Sequence, residues 1–400
     1  MSLSRKEFLL SLVMSTTAFL TSCASSGDNE PVQPDKKPYL VSAKEIRTLS
    51  REELSRQVQR INPALGLFTR YGIRVYRVVY NTTLPDGKPV QASGALIVPT
   101  TAAAVPMVSQ QHGTIQSDSD APSYFGAGSD AYTGGALFSS LGFIMACPDY
   151  IGYGESKNQP HFYEHRESLA TASLDMLRAA REFIAQQKIS WNEQLYLTGY
   201  SEGGYATMSL LKKIEEEFPD EFAVKGATLG AGAYHKSAFM KHIINERTHG
   251  IGSYNKLYLW ALETYNSVYK DLNRPMSAYL KEPYAGQAAK GARQTSINVS
   301  LNQTFTDSFK EAVNTGTDKA FLEAIADNDV YDWKPKTPIQ LYHGDADNLV
   351  FYFNSKDAYE AMQRRGANKV ELITLKGRTH TSGLPEYILG TLNFFSQPVQ

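Results

Sequence analysis

From position 105 onward the chain alternates short apolar runs with longer segments whose apolar residues recur every three or four positions. The runs lie at 105–110, 142–148, 194–198, 224–229, 338–342 and 369–375. Between them, Leu169, Ala172, Met176, Leu177, Ala180, Phe183 and Ile184 share one helical face, as do Leu210, Leu211, Ile214 and Phe218 and, near the end, Leu384, Tyr387, Ile388, Leu392 and Phe395. A sequence that switches repeatedly between buried strand and amphipathic helix has few folding options. It predicts an α/β architecture, a mostly parallel, doubly wound sheet with helices on both faces. Earlier, alternating residues 73–80, the turn signal Pro85-Asp86-Gly87 and the resumed β pattern at 91–98 predict an antiparallel hairpin. The alternation stops across residues 231–335, where Leu257, Trp260, Ala261, Thr264, Tyr265 and Val268 keep helical spacing but no buried-strand run appears. That stretch is expected to be a helical cap insertion, leaving 42–230 and 336–400 as the core.

The N-terminus has a different character. Arg5 and Lys6 precede an apolar run, 8–20, too short to span a bilayer comfortably, and the run closes on Leu20-Thr21-Ser22-Cys23. This resembles a lipoprotein signal: 1–22 would be removed and Cys23 lipidated, with 23–41 a polar tether to the membrane. Ala24 after that cysteine points to the outer membrane. Cys147, the other cysteine of the chain, then has no disulfide partner, and its apolar surroundings predict a buried, inert thiol. With 40 Lys+Arg against 41 Asp+Glu, the chain has no global field for nucleic acid.

Chemistry concentrates at Gly199-Tyr200-Ser201-Glu202-Gly203-Gly204, a G-x-S-x-G motif between a predicted strand and a predicted helix. A serine there sits on a tight turn above the strand ends, with glycines where a β-carbon would collide. Its hydroxyl needs a base and a third group to orient that base. His380 lies in a loop after the last predicted strand and suits the base; His343 ends a strand and is expected to pack locally. Asp345 and Asp347, on the loop before it, are both candidates for the acid.

Together with Gln111-His112-Gly113-Thr114, Pro148-Asp149-Tyr150-Ile151-Gly152-Tyr153-Gly154 and H-G-x-x-D-x-x-V at 343–350, these residues make the chain resemble an α/β-hydrolase of the secretory lipase group, bacterial branch, related to lipase A-type enzymes. The resemblance covers residues 73 to the C-terminus. It implies a nucleophile Ser201, a base His380 and an acid Asp347, with Asp345 shaping the loop. It also implies an oxyanion hole from the backbone N–H of Glu202 and of Thr114, with Gly113 the fallback and His112 a loop anchor. The side chain of Glu202 would pair locally. The implied activity is hydrolysis of small-molecule carboxylic esters without cofactor or metal, under a lid inserted after the sixth core strand. Fungal members carry disulfides and favour long-chain lipids; this chain can form no disulfide, and short acyl or aryl esters are expected.

Other readings compete. His161-Phe162-Tyr163-Glu164-His165 matches H-x-x-E-H, which on a helix gives a zinc peptidase two ligands and a general base. A serine peptidase would use the same fold and triad, with Glu164 or Glu167 binding an amine. A binding lipoprotein with an idle triad is the third.

Overall fold

The computed structural model describes residues 38–61 and 69–397; the predicted signal, Cys23 and most of the tether lie outside them. Among the described residues no helix is long and apolar enough to cross a membrane.

Among the described residues, a single nine-stranded sheet organises the fold. Its strands are β1 (Leu40–Leu49), β2 (Ile73–Thr83), β3 (Pro89–Pro99), β4 (Val105–Gln111), β5 (Ile144–Pro148), β6 (Trp191–Tyr200), β7 (Ala223–Gly230), β8 (Ile339–Gly344) and β9 (Val370–Leu375). They lie in the order β1-β2-β3-β5-β4-β6-β7-β8-β9. The first three are antiparallel to their neighbours, and β5 through β9 run parallel. The expected hairpin is present: Gly87 takes a left-handed φ of 81° in the turn, where only glycine is comfortable.

The sheet begins two residues before the expected Ser42. β1 escaped sequence reading because it is an edge strand whose side chains are largely exposed, apolar and polar alike, with no buried run to announce it. The helix after it, α1 (Arg51–Ile61), docks through Leu54 and Val58, one turn apart. Its N-terminus is a capping box: the Ser50 hydroxyl accepts from the Glu53 N–H at 3.2 Å and the Glu53 carboxylate from the Ser50 N–H at 2.7 Å.

Helices cover both faces. On one, α1 and α2 (Ala136–Ser140) pack with a C-terminal helix through Leu54, Phe138 and Phe395. On the other, α3 (Arg166–Gln187) and α4 (Glu202–Glu217) bury Leu174, Leu177, Phe183, Leu210 and Leu211 against the centre of the sheet. Residues 231–335 hold α5 (Lys236–Asn245), α6 (Gly252–Val268), α7 (Tyr284–Ala288), α8 (Asp307–Thr315) and α9 (Lys319–Asp327), and the described residues there include no named strand. These helices share an apolar cluster around Phe239, Leu259, Tyr265, Leu301 and Phe321 that also takes in Tyr163 and Val350 from the flanking core. The insertion follows the seventh strand of the sheet, one later than the resemblance implied, because β1 adds a strand. The chain ends with α10 (Phe353–Arg364) and α11 (Leu384–Ser396).

Strand order reverses at β4, whose neighbours β5 and β6 lie on opposite sides. Open α/β sheets leave a crevice beyond the strand ends at such a point. β4 and β6 end side by side there, with Gln111 opposite Gly199.

Candidate active site

Ser201 follows β6 and precedes α4 with φ 61° and ψ −124°, a left-handed conformation costly for a residue with a β-carbon. The turn is pinned by the Ser201 N–H donating to Gly230 O at 2.8 Å. It is also crowded. A β-carbon at Gly199 would lie 2.2 Å from Gly203 O, at Gly203 2.1 Å from Gln111 O, and at Gly204 2.4 Å from Gly230 O. Three glycines, not the two of the motif, are needed to press the turn against β4 and β7.

The three predicted side chains meet over the parallel strands. Ser201 Oγ lies 2.8 Å from His380 Nε2, and His380 Nδ1 lies 2.7 Å from Asp347 Oδ2. The Asp347 side chain is fully buried. Burial alone would raise its pKa, yet hydrogen bonds from His343 and His380 hold the carboxyl well below the usual carboxylate range. Its Oδ1 accepts the N–H groups of Leu349 at 2.9 Å and Val350 at 3.0 Å. Asp345 instead accepts the Gly377 N–H at 2.6 Å, which ties the acid loop to the histidine loop.

His343 packs locally, as expected, against Ser355 Oγ and Val350 O, both at 2.7 Å. Sequence reasoning missed that its Nε2 also stands 3.3 Å from Asp347 Oδ2. The Tyr200 hydroxyl donates to His380 O at 2.7 Å, a tether the motif gave no sign of.

On the β4 side, the Gly113 N–H donates to Asp130 Oδ2 at 3.1 Å and is not free to bind an oxyanion, so the fallback fails. Thr114 N–H has no partner among the described residues, while the Thr114 hydroxyl meets Tyr163 OH at 3.0 Å. Glu202 is the first residue of α4, where an N–H has no carbonyl a turn earlier. His112 anchors its loop, its ring lying between Gly113 O at 2.7 Å and Asp149 O at 3.1 Å. Cys147 is buried beside Gln110, and burial pushes its thiol far up.

The H-x-x-E-H residues do not form a zinc site. His161 and Glu164 precede α3 rather than lying on it, and His165 caps that helix, its Nδ1 2.8 Å from Ser168 Oγ. His161 faces Glu202, while Glu164 pairs with Lys236, and among the described residues no metal-binding cluster forms. The Glu202 carboxylate therefore pairs, but with a residue 41 positions away rather than a local one.

A cavity of about 10 Å³, room for roughly one water, touches Ser201, Tyr163 and Glu164 from the core and Phe239, Leu257 and Tyr258 from the insertion. A larger cavity of about 860 Å³, lined by Leu137, Phe143, Tyr196 and Leu392, shares no residue with the serine.

This sheet, its switch point and the elbow serine define the α/β-hydrolase fold. Solved structures agree. A Legionella pneumophila protein described as a hydrolase superposes with a TM-score of 0.77 at 24% identity, over 90% of this chain and 98% of that one. The rice cell wall degrading esterase LipA from Xanthomonas oryzae gives 0.74 at 22% identity, over 89% and 96%. Candida antarctica lipase A gives 0.61 at 16%, over 88% and 82%. The secretory lipase family model matches residues 135–391, well over half of the sequence, and the chain belongs to that family. Lipase 10 of Candida albicans is 24% identical over 244 residues, 58% of this chain; the match spans half the length of that relative.

Proposed function

We propose that the protein hydrolyses carboxylic esters through an acyl-enzyme. Ser201 Oγ attacks the ester carbonyl carbon as its proton passes to His380 Nε2, and Asp347 holds the imidazole and favours its cation. The oxyanion is held by the N–H groups of Glu202 and Thr114. As the tetrahedral carbon collapses, the imidazolium returns that proton to the departing alcohol. Water, deprotonated by the same ring, then attacks the acyl carbon and frees the acid and Ser201. The observation carrying this reading is the unbroken line from Ser201 Oγ through His380 to Asp347, at 2.8 and 2.7 Å.

Residues 231–335 act as a cap in this proposal, because Phe239, Leu257 and Tyr258 close the cavity over Ser201. Short acyl or aryl esters remain the favoured substrates. Of the two acids a peptidase could use for a substrate amine, Glu164 is engaged by Lys236 and Glu167 by Lys213, and this weighs against the peptidase reading. Export, with attachment to the outer membrane through lipidated Cys23, completes the proposal; Cys23→Ser should release the protein from the membrane fraction.

The test is a panel of p-nitrophenyl esters of rising chain length beside aminoacyl p-nitroanilides, with parent and Ser201→Ala. Ester turnover should fall by about a million-fold in the variant. Anilide turnover exceeding ester turnover would replace the esterase by a peptidase, and turnover surviving in Ser201→Ala would remove the serine mechanism.

A further inference from the structure

The H-x-x-E-H segment leaves one arrangement that the triad does not use. His161 and Glu202 are both buried, with side chains 2% and 1% exposed, and His161 Nε2 lies 2.6 Å from Glu202 Oε1. The other ring nitrogen, Nδ1, lies 2.8 Å from the backbone oxygen of Ile151. A carbonyl can only accept, so Nδ1 carries a hydrogen. The 2.6 Å contact then needs one proton between Nε2 and Oε1, because two lone pairs do not approach so closely. That proton sits on the ring, giving imidazolium and carboxylate, or on the carboxyl, giving two neutral groups. The net charge is zero in either case.

We infer that His161 is a positioning residue for ester hydrolysis: it shares one proton with Glu202 and thereby keeps a net negative charge from forming behind the oxyanion hole. Glu202 supplies the N–H proposed to hold the oxyanion, so an unbalanced carboxylate on that same residue would oppose the charge developing on the substrate. Glu202 Oε2 has no hydrogen-bond partner among the described residues, although it is buried, so nothing except His161 compensates this carboxyl directly. Among the other titratable groups nearby, Arg293 lies over the Trp260 ring at 4.7 Å and donates to Gln116 O, and none bonds this carboxyl. Glu164 and Lys236 neutralise each other, and Tyr150, Tyr153 and Tyr163 have hydroxyls that burial keeps protonated. The ring is fixed in place by Tyr150, stacked at 6.0 Å, by Tyr153 at 4.8 Å and by Trp260 of α6 at 5.4 Å.

The inference rests on the proposed hydrolase reading, and its test separates the two. His161→Gln retains an amide donor toward Glu202 but has no proton to share, so the carboxylate becomes an unbalanced charge once ionised. Its kcat for a p-nitrophenyl ester at about pH 8 should lie roughly tenfold or more below the parent's, with KM little changed. In the double variant His161→Gln/Glu202→Gln, which has no charge to balance, kcat should recover most of that loss. A folded single variant with the parent's kcat, or a double variant no faster than the single one, would overturn the inference, since a merely structural role predicts no rescue by removing the charge. Nitrogen-15 spectra of the labelled parent protein give a reading that needs no variant to fold: Nδ1 of His161 should carry a hydrogen, and a bare Nδ1 would overturn the proton count. If the parent cleaves no ester, the hydrolase reading fails; if it is active but indifferent to residue 161, only this inference fails.

Discussion

Replacing Asp347 by Asn changes one atom, and the surrounding hydrogen bonds fix how the new amide must face. Oδ1 accepts two backbone N–H groups, from Leu349 at 2.9 Å and Val350 at 3.0 Å. An amide nitrogen cannot take that place without setting donor against donor, so the Asn oxygen stays there and its NH2 turns to His380. The ring, 2.7 Å away in the parent, must then accept through Nδ1 and carry its hydrogen on Nε2. Nε2 faces Ser201 Oγ at 2.8 Å and, once protonated, cannot take the hydroxyl proton. The wrong tautomer should lower kcat about ten-thousand-fold, or about 5 kcal/mol of transition-state stabilisation, with KM almost unchanged. Steady-state hydrolysis of p-nitrophenyl butyrate measures this, and thermal unfolding shows whether the fold survives. A folded Asp347→Asn protein within tenfold of the parent would refute the assignment of the acid.

The other carboxylate of that loop should behave differently: Asp345→Ala loses only the bond from the Gly377 N–H, so kcat should stay within about tenfold of the parent. Gly203→Ala places a β-carbon 2.1 Å from Gln111 O and should destabilise the protein by about 3 kcal/mol in denaturant titration, with loss of esterase activity. Asp347 also links stability to pH. Its folded-state pKa lies below the unfolded value of about 3.9, so its contribution is complete above that pH and is lost as the pH falls toward the folded value. The melting temperature of the parent should therefore drop more steeply below pH 4 than that of Asp347→Asn.

The nucleophile was legible because its requirements are local: a strand, a tight turn and a helix occupy adjacent residues, and the glycines betray the crowding. The histidine and acid followed from their loops lying after late strands, and Asp347 was separated from Asp345 only by resemblance to a family loop. Physical contact makes the distinction, since Oδ2 of Asp347 meets the ring while Asp345 meets a backbone N–H. What sequence could not show are partnerships between distant positions. Lys236 and Glu164 are 72 residues apart, and His161 and Glu202 are 41 apart. The H-x-x-E-H pattern misled because its spacing has meaning only on a helix, and the helix begins after it. Helix α10 escaped for another reason: it is held largely by the small residues Ala358 and Ala361 with Met362, too weak a stripe to stand out.

Convergence of the triad also has to overcome distance. Three strand spacings, about 14 Å, separate β6 from β9, so a histidine leaving the end of β9 must be carried back across β8 and β7 to reach Ser201. A hydrogen bond of 2.8 Å to a serine cannot by itself hold so long a detour, because ordering the loop costs about 1 to 2 kcal/mol per residue. The backbone supplies the restraint. Gly344 lets β8 approach the histidine loop so closely that a β-carbon there would lie 2.1 Å from Arg378 O, and the Ala346 N–H donates to that same oxygen at 3.1 Å. Asp345 binds Gly377 at the near end of the loop, and Tyr200, the residue before the nucleophile, holds His380 O at the far end. The imidazole is thus positioned from the acid loop and from the nucleophile turn at once, by several attachments that share the restraint so that the loss of one leaves the others to hold the ring.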